Sequence, residues 1–422
     1  MINRKIVALR VEAEVNLEST LYMRLYHVLQ THYPDQLQFF CDSYEEGPSP
    51  LQILIDMMSN ISDGIWVSQS LYQAFEVFAE DVVLACAKQH QDDPSCYISH
   101  DFRHSLMVHA HMVHLFEQTH VVIQAAEAMT KLSYPLITFT FDMIHLLHDI
   151  GYPKQSELGV QKSNHTFEGA YIFKTQIAPK LQGLFRQLHI PIKQQSKMIR
   201  MITEGILYHG ADKIEDHYNI KCQTSLGTFY TQEDKWPKFK QFCLDRQLDV
   251  THVSTLSKPV PIRYLDCEKK NDNAFGIACM KLDLVEDPFT GVIRYTDNAH
   301  TCHGRLSDEQ KTSDIVRQYQ ANPLSDQCLL RPPEGQDRYL AGIVPVESTQ
   351  VIGSQESLGL QIHMNQHYHP LMAVKVQFDD KMIKLPLFYV KRIQDAFKWL
   401  TFNQIPIRVD VCPPYKNIAK LV

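Results

Sequence analysis

The sequence contains ten cysteines in 422 residues, but no two of them form a C-x-x-C pair. Such pairs are typical of structural zinc modules, and dense cysteines in short secreted chains are typical of disulfide scaffolds. The cysteines here are scattered through apolar and polar stretches alike. We therefore expect neither a zinc module nor a disulfide framework, and a reducing compartment is the simplest interpretation.

Long uncharged apolar runs are also missing. No stretch reaches the roughly 18 residues that a membrane-spanning helix needs. The apolar patch near the N-terminus is short and is interrupted by Arg10, Glu12 and Glu14, which is unlike a signal peptide. We predict no transmembrane helix and a cytoplasmic location, with export by a route that needs no N-terminal signal left open.

An excess of positive charge is absent as well. The chain has 41 Lys and Arg against 48 Asp and Glu, and its formal net charge is -7. Nucleic-acid-binding proteins usually carry a basic footprint, so we expect no nucleic-acid partner. The balance leaves room for a small anionic ligand, because a local pocket can be basic in an acidic protein.

The length of the chain predicts two or three domains. Apolar residues recur at helical spacing through residues 1–95, and dense helical segments follow from residue 96. Residues 211–290 are polar and turn-rich except for one predicted helix, WPKFKQFCLDRQL, and we interpret them as an insertion. We predict a mainly α protein with an N-terminal helical region (1–95), a helical bundle (96–320) and a small C-terminal α+β domain (335–422). In that last domain, short β-rich runs such as LGLQIHM and LMAVKVQF accompany one predicted helix, YVKRIQDAFKWLTF.

Histidine is abundant, with 21 residues. At about 100° per residue, His100, His104, His111 and His114 share the apolar face of one helix, whereas His109 lies on the opposite side. His104 and His111 are separated by about 10 Å along the helix axis, so they do not bind the same ion. We expect one metal ligand from this helix and interpret His111 and His114 as histidines of the core or as neighbours that support the metal ligands.

His148 and Asp149 end the apolar run FDMIHLLHDIGYP. Two interpretations stay open: Asp149 begins a turn before Gly151 and Pro153, or the pair binds a metal ion. A carboxylate at a helix C-terminus opposes the helix macrodipole, so it is poorly placed as a cap. A bound cation would compensate its charge.

Further candidates follow along the chain. His165 opens the next helix, His209 closes another, and Asp297 lies in RYTDNAH. Together with His104, His148 and Asp149, they form a set of imidazole and carboxylate groups without thiolate. Such ligands suit Mn, Fe, Co, Ni or Zn, with Mg suited to a carboxylate-rich position.

In this order the residues resemble the HD-domain superfamily of metal-dependent phosphohydrolases. The resemblance rests on RHSLMV, IHLLHDIGYP, NHTFEGAYIF, ILYHG and VIRYTDNAH, and it covers roughly residues 97–317. It implies an HD-type helical bundle for the middle of the chain. The N-terminal and C-terminal parts are not covered.

The resemblance also implies the roles of the residues. One metal ion would be held by His104, His148, Asp149 and Asp297. A second would be held by His165 and His209, with Asp149 bridging the two. The ions would activate a water molecule for in-line attack on phosphorus and would neutralise developing charge on the phosphoryl oxygens. Whether one or two ions bind stays open.

His100 invites comparison with the cyclic-nucleotide phosphodiesterases, another branch of this superfamily. HDFRH matches their H-N-x-x-H spacing, in which the first histidine protonates the leaving oxygen. The resemblance therefore implies that His100 is the general acid. The chain departs from that branch in having Ser99 and Asp101 around His100, and the later phosphodiesterase signatures are absent.

The last ligand has a rival, because RYLDCE offers Asp266 in a setting similar to that of Asp297. We favour Asp297, since its flank continues as a helix. Four cations near the motifs could bind a phosphate, although most such residues are simply solvated, and the sequence does not select among them: Arg103, Lys154, Arg294 and Arg305.

We predict that the protein hydrolyses a phosphoester, with a small phosphorylated substrate that is a nucleotide or cyclic nucleotide. Two alternatives stay open. One is a catalytically inactive HD domain that binds a nucleotide and regulates, and the other is a di-iron HD-type oxygenase, because the same ligands suit iron. The sequence leaves the substrate and the oligomeric state undetermined.

Overall fold

The computed structural model describes residues 20–43, 48–59, 61, 69–92, 100–152, 165–209, 220–224, 227–231, 233, 236–255, 282–300, 346–364, 375–378, 381–384, 390, 393–394, 396–397 and 400–412. Most of these residues are helical, with a smaller strand region after residue 219. The prediction of a mainly α chain with a small strand region is confirmed. The predicted domain boundaries at residues 95, 320 and 335 lie outside the described residues.

The helices follow one another along the chain as α1 (20–32), α2 (Leu37–Cys41), α3 (Pro50–Ser59), α4 (Gln69–Asp92), α5 (Phe102–Gln118), α6 (Val121–Thr130), α7 (Tyr134–Leu147), α8 (His165–Ile172), α9 (Ala178–Gln187), α10 (Ile192–Tyr208), α11 (Trp236–Asp245) and α12 (Pro288–Ala299). A 3-10 turn, Pro34–Gln36, precedes α2, and a π-helical turn, Phe173–Ile177, joins α8 to α9.

The strands are β1 (Ile220–Thr224), β2 (Gly227–Thr231), β3 (Val250–Thr255), β4 (Leu282–Asp283), β5 (Val346–Gly353), β6 (Leu358–Met364), β7 (Lys375–Phe378), β8 (Lys381–Lys384), β9 (Leu400–Phe402), β10 (Ile405–Pro406) and β11 (Arg408–Val411). Within the described residues they form three small sheets, in the orders β2-β1-β3, β10-β9-β4 and β11-β6-β5, and a hairpin of β7 and β8. The pairings of β11 with β6 and of β4 with β9 are parallel.

The chain divides into two compact units. The first unit comprises residues 1–93 and 126–207, and the second comprises residues 94–125 and 208–422. Each unit therefore combines segments that are distant in the sequence.

Helix α7 is the core of the first unit. Ser133 occupies its N-cap and Pro135 its first turn, where a missing N–H is tolerated. Every residue from Phe139 to Leu147 is buried, as expected for a helix that is apolar on all sides. The ring of Phe139 lies between Phe78 of α4 and Phe185 of α9, at centroid distances of 6.2 and 6.4 Å. The buried helix predicted from FDMIHLLHDIGYP is confirmed.

The second unit contains the predicted insertion. The helix predicted from WPKFKQFCLDRQL is confirmed as α11. The sheet β2-β1-β3 was not predicted, because its strands are short and polar. In β1 the buried residues alternate, Ile220, Cys222 and Thr224, but five residues give too little periodicity to recognise a strand among turn residues.

The C-terminal β-rich runs are confirmed where the structure describes them. LGLQIHM is β6, the central strand of its sheet, and KVQF is β7. The predicted helix YVKRIQDAFKWLTF is confirmed in part, since described residues between 390 and 397 are helical. Its end is strand β9 instead, because Leu400–Phe402 pairs with both β4 and β10.

Candidate metal-binding residues

In the first unit, the apolar helix α7 ends at the two residues that the sequence singles out. His148 is the C-cap residue and still has helical dihedral angles. The chain then turns, because Ile150 donates to the carbonyl of Leu147 and Tyr152 donates to that of Asp149. His148 and Asp149 are both buried, at 0% and 1% exposure. A buried carboxylate is costly unless hydrogen bonds or a cation compensate it.

Gly151 brings a second helix onto this turn. A Cβ atom at Gly151 would lie 2.1 Å from the Gly169 nitrogen and 2.1 Å from the His165 carbonyl oxygen. The residue does not adopt the left-handed conformation that is typical of a glycine C-terminal cap. Gly151 is required because the first turn of α8 packs backbone against backbone at this point.

This close approach places His165 beside Asp149. One carboxylate oxygen of Asp149, Oδ1, lies 3.3 Å from His165 Nε2, and the other, Oδ2, lies 3.3 Å from His148 Nε2. The structure thus brings together three of the predicted ligands. Tyr152 also packs its ring on His165, with 4.9 Å between centroids.

The hydrogen bond of His148 tests whether this cluster fits a metal ion. Its Nδ1 lies 2.8 Å from the His145 carbonyl oxygen, which only accepts, so Nδ1 carries a proton. In the neutral ring, Nε2 is then a lone pair that faces the Asp149 carboxylate. The Nε2 lone pair and the carboxylate oxygen are both acceptors and repel each other. Their approach is favourable only if a cation lies between them or if Nε2 carries a proton. A metal-ligating histidine typically donates its other N–H to a carbonyl in this way.

In the second unit, helix α5 begins where the sequence has its other histidine–aspartate pair. Asp101 is the N-cap residue, and its Oδ1 accepts from the His104 backbone N–H at 3.2 Å. The His100–Asp101 pair therefore starts a helix, whereas the His148–Asp149 pair ends one. His100 is half-buried, and its ring meets that of His104 edge-on at 5.7 Å.

His104 lies in the first turn of α5 and is 1% exposed. Its Nε2 is 3.0 Å from Oδ1 of Asp297, so the structure brings together two more predicted ligands that are 193 positions apart. Its Nδ1 is 2.7 Å from Nδ1 of His300, which is also buried. His300 was not predicted, although its place three residues after Asp297, at the end of the same helix, was a signal.

Helix α12, which carries Asp297, is held in place by contacts with strands β5 and β6. Tyr295 is fully buried, and its hydroxyl donates to the Gly359 carbonyl of β6 at 2.8 Å. Burial raises the pKa of this phenol. Thr349 of β5 donates to the Ala299 carbonyl at 2.6 Å. The strand region of the second unit therefore positions the helix that carries the candidate ligand.

Arg294 connects α12 to the residue that precedes His209. Its Nε and Nη2 donate to the Tyr208 carbonyl oxygen at 3.2 and 2.6 Å, and the residue is 2% exposed. His209 itself is buried, directly after α10. Arg294 is thus engaged with the main chain. Arg103 is exposed, whereas Lys154, Arg305 and Asp266 lie outside the described residues.

The remaining histidines of α5 divide between core and surface. His111 is buried, and burial followed by the charge of the nearby His114 lowers its pKa to about 4. His114 is exposed and contacts Glu117, so our assignment of His114 to the core is wrong. It lies at the edge of the buried face, about 80° from His104, where helical periodicity is a weak guide to burial.

Buried histidine and aspartate side chains in both units belong to groups that could hold a metal ion. In the first unit these members include His148 and Asp149, and in the second they include His104 and His209, with Asp297 partly exposed. The cysteines of the described residues, by contrast, are free thiols.

Comparisons with protein-family models, with curated proteins and with solved structures give no match for this chain. Among the described residues, no helix is both long enough and apolar enough to cross a membrane.

Proposed function

We propose that this protein is a metal-dependent phosphohydrolase. The observation that supports the proposal best is the buried Asp149 carboxylate, whose two oxygens face the Nε2 atoms of His148 and His165. The hydrogen bond from His148 Nδ1 to a carbonyl leaves Nε2 available as a ligand. The proposed function also rests on the resemblance of the ordered motifs to the HD-domain superfamily.

The proposed ligands bind one or two divalent ions, from the group Mn, Fe, Mg, Co, Ni and Zn. They are the six residues His104, His148, Asp149, His165, His209 and Asp297. Asp149 would be the ligand shared by two ions, because each of its two carboxylate oxygens could serve one of them. A divalent ion bound there would supply Lewis acidity and would lower the pKa of a water molecule.

His100 is proposed as the general acid. Hydrolysis of a phosphoester needs a proton on the leaving oxygen, and an imidazole near neutral pH can donate it. His100 is half-buried, so it remains open to solvent and substrate while it sits one turn before His104. The proposed catalytic residues are therefore His100 and Asp149.

The proposed substrate is a small phosphorylated molecule, a nucleotide or cyclic nucleotide. This assignment comes from the resemblance alone. Arg294 is not assigned to the phosphate, because its Nε and Nη2 donate to the Tyr208 carbonyl. The cytoplasmic location and the absence of nucleic-acid and membrane partners stay predictions of the sequence.

The proposal is tested by measuring the metal content of the purified protein and the release of phosphate or alcohol from its substrates. The substrate panel contains nucleoside phosphates, cyclic nucleotides and bis(p-nitrophenyl) phosphate. We expect bound metal and hydrolysis of at least one phosphoester, with both lost in the double variant His148→Ala, Asp149→Ala. The exposed variant His114→Ala is the matched control and should retain both.

Two outcomes would overturn the proposal. If the purified protein contains no divalent metal and binds none that is added, the proposed metal centre is contradicted. Bound metal without hydrolysis of the panel contradicts the hydrolase and favours an inactive nucleotide-binding regulator, or an oxygenase if the metal is iron and oxygen is consumed.

A further inference from the structure

The structure contains a direct hydrogen bond between two imidazole rings. Nδ1 of His104 and Nδ1 of His300 are 2.7 Å apart, and the rings lie nearly parallel, with an interplanar angle of 17°. Both side chains are buried, and the residues are 196 positions apart in the sequence. A contact this short between two nitrogens needs one proton between them, since two lone pairs or two N–H groups would repel.

The neutral pair therefore has two arrangements. In the first, His300 carries the shared proton and donates it to His104, whose own proton is on Nε2 and bonds to Asp297 Oδ1 at 3.0 Å. In the second, His104 carries the shared proton on Nδ1, its Nε2 is a lone pair, and His300 carries its proton on Nε2. The pair holds two protons in either arrangement.

We propose that His300 is a positioning residue that determines which ring nitrogen of His104 carries the proton. The inference rests on the proposed function, because it concerns His104 as a metal ligand. A metal ion binds only the lone pair of Nε2, which is the second arrangement. With an ion at Nε2, His104 would carry the shared proton on Nδ1, its Nε2 proton would have passed to solvent, and His300 would have taken one proton from solvent on Nε2. The pair therefore loses no net proton.

His300 is well held for this role. Its backbone N–H donates to the carbonyls of Thr296 and Asp297, in the last turn of α12. The neighbouring Ala299 carbonyl is tied to Thr349 of β5 at 2.6 Å. The ring of His300 also faces that of His111, at 6.1 Å between centroids. The backbone on which His300 stands is thus anchored at both the helix and the strand.

The hydrogen bond can be tested in the metal-free protein by NMR of ¹⁵N-histidine-labelled full-length chain. A proton shared between two nitrogens gives a through-hydrogen-bond coupling between them, so we expect a resolved coupling between two Nδ1 signals. The coupling should vanish in His300→Asn and His104→Asn, but should persist in the exposed control His114→Asn. If no such coupling is seen, the pair does not exist in solution and the inference fails.

The positioning role is tested with Zn²⁺ alone, by isothermal titration of metal-free protein. The carboxamide oxygen of Asn occupies the same place as Nδ1 and can accept from His104, whereas Leu offers no acceptor. We expect His300→Leu to lower the Zn²⁺ affinity about 10- to 100-fold, and His300→Asn to recover most of it. Zn²⁺ should also move the ¹⁵N signals of His104 to those of a ring protonated on Nδ1.

The outcomes separate this inference from the proposed function. If the wild-type chain binds neither Zn²⁺ nor any other of the proposed divalent ions while the Nδ1–Nδ1 coupling is present, the proposed function fails and a merely structural pair remains, which overturns the positioning role too. If the wild-type chain binds Zn²⁺ and folded His300→Leu binds it equally well, the proposed function stands and this inference is overturned. Thermal melts of both variants establish that they fold.

Discussion

The backbone of Gly151 lies against that of Gly169, so closely that a Cβ atom at Gly151 would stand 2.1 Å from the Gly169 nitrogen. Gly169 in turn packs on Ile206 of α10, where its own added Cβ would meet a side-chain carbon at 3.1 Å. Three helices of the first unit, α7, α8 and α10, therefore meet around two glycines. This packing places Asp149 between His148 and His165.

Gly151→Ala should consequently displace α8 from the end of α7. The new methyl group meets backbone atoms, which have no flexible end that can move away, so we expect a loss of about 1 to 3 kcal/mol of stability or more. Metal affinity should fall in parallel, because His165 moves away from Asp149. Urea unfolding and Zn²⁺ titration measure the two effects.

Gly183→Ala is the matched control for that experiment. Gly183 lies inside α9, and a Cβ atom there would meet nothing within 4 Å. Alanine should stabilise this helix by about 0.5 to 1 kcal/mol. Equal stability of the two alanine variants would contradict the packing of α8 on α7.

Asp149→Asn should remove metal binding with little change in shape. The amide is neutral and offers one acceptor in place of two, so it cannot bridge two ions or balance their charge. We expect the rate of phosphoester hydrolysis to fall by at least about 100-fold. Removal of the metal from the wild type by a chelator should lower the rate in the same way. Metal analysis and phosphate release measure this, with the exposed Asp56→Asn as a neutral control. Full activity in Asp149→Asn would contradict the assignment.

His100→Asn should act on the leaving group and spare the metal. A general acid matters most when the leaving group is a poor one. The rate of hydrolysis of a cyclic nucleotide should therefore fall about 10²- to 10⁴-fold. A p-nitrophenyl ester needs little protonation and should lose far less. Rates on both substrates, with metal content measured alongside, separate these effects. An equal loss on both would indicate that His100 does not protonate the leaving group.

His111 should make the second unit less stable in mild acid. Burial lowers its pKa to about 4 from the ordinary 6.5, so the unfolded chain takes up the proton first as the pH falls. Stability from this residue is present above pH 6.5, is lost as the pH falls toward 4, and amounts to about 3 kcal/mol. Urea unfolding between pH 7.5 and about 4 should therefore show a steeper loss in wild type than in His111→Gln.

The exposed His114 supplies the comparison for that pH series. His114→Gln should reproduce the wild-type slope, with at most a small shift, because His114 is only the second cause of the lowered pKa of His111. If His111→Gln also follows the wild-type slope, another group carries the acid sensitivity.

Arg294→Met should loosen the end of α10. The substitution removes both hydrogen bonds that the buried guanidinium donates to the Tyr208 carbonyl, and the loss of hydrogen bonds from a charged group costs about 1.5 to 3 kcal/mol. We expect weaker metal binding as well, because His209 follows Tyr208 directly. Arg186→Met is the matched control, since the exposed Arg186 also donates to a carbonyl, that of Gln182. Equal effects of the two changes would argue against a positioning role for Arg294.

The local features of this protein follow from short stretches of its amino-acid sequence. A run of apolar residues from Phe139 onward predicted a buried helix, and the polar pair after it predicted the helix end, because periodicity and turn signals act over a few residues. The histidine spacing on α5 placed His104 and His111 inward, and both are buried. It failed for His114, at the margin of the same face.

Which of these groups touch depends instead on how distant segments pack against one another. His104 meets His300 and Asp297 across 196 and 193 positions, and no periodic pattern encodes contacts at that separation. The sequence did not distinguish Arg294 from other, solvated cations. In the structure Arg294 donates to the Tyr208 carbonyl, 86 positions away. Gly151 signalled a turn in the sequence, but the reason that it must be glycine lies in a second backbone that packing brings against it. Helix formation depends on the local pattern of apolar and polar residues. Which polar groups face one another depends on how the apolar faces of those helices are buried.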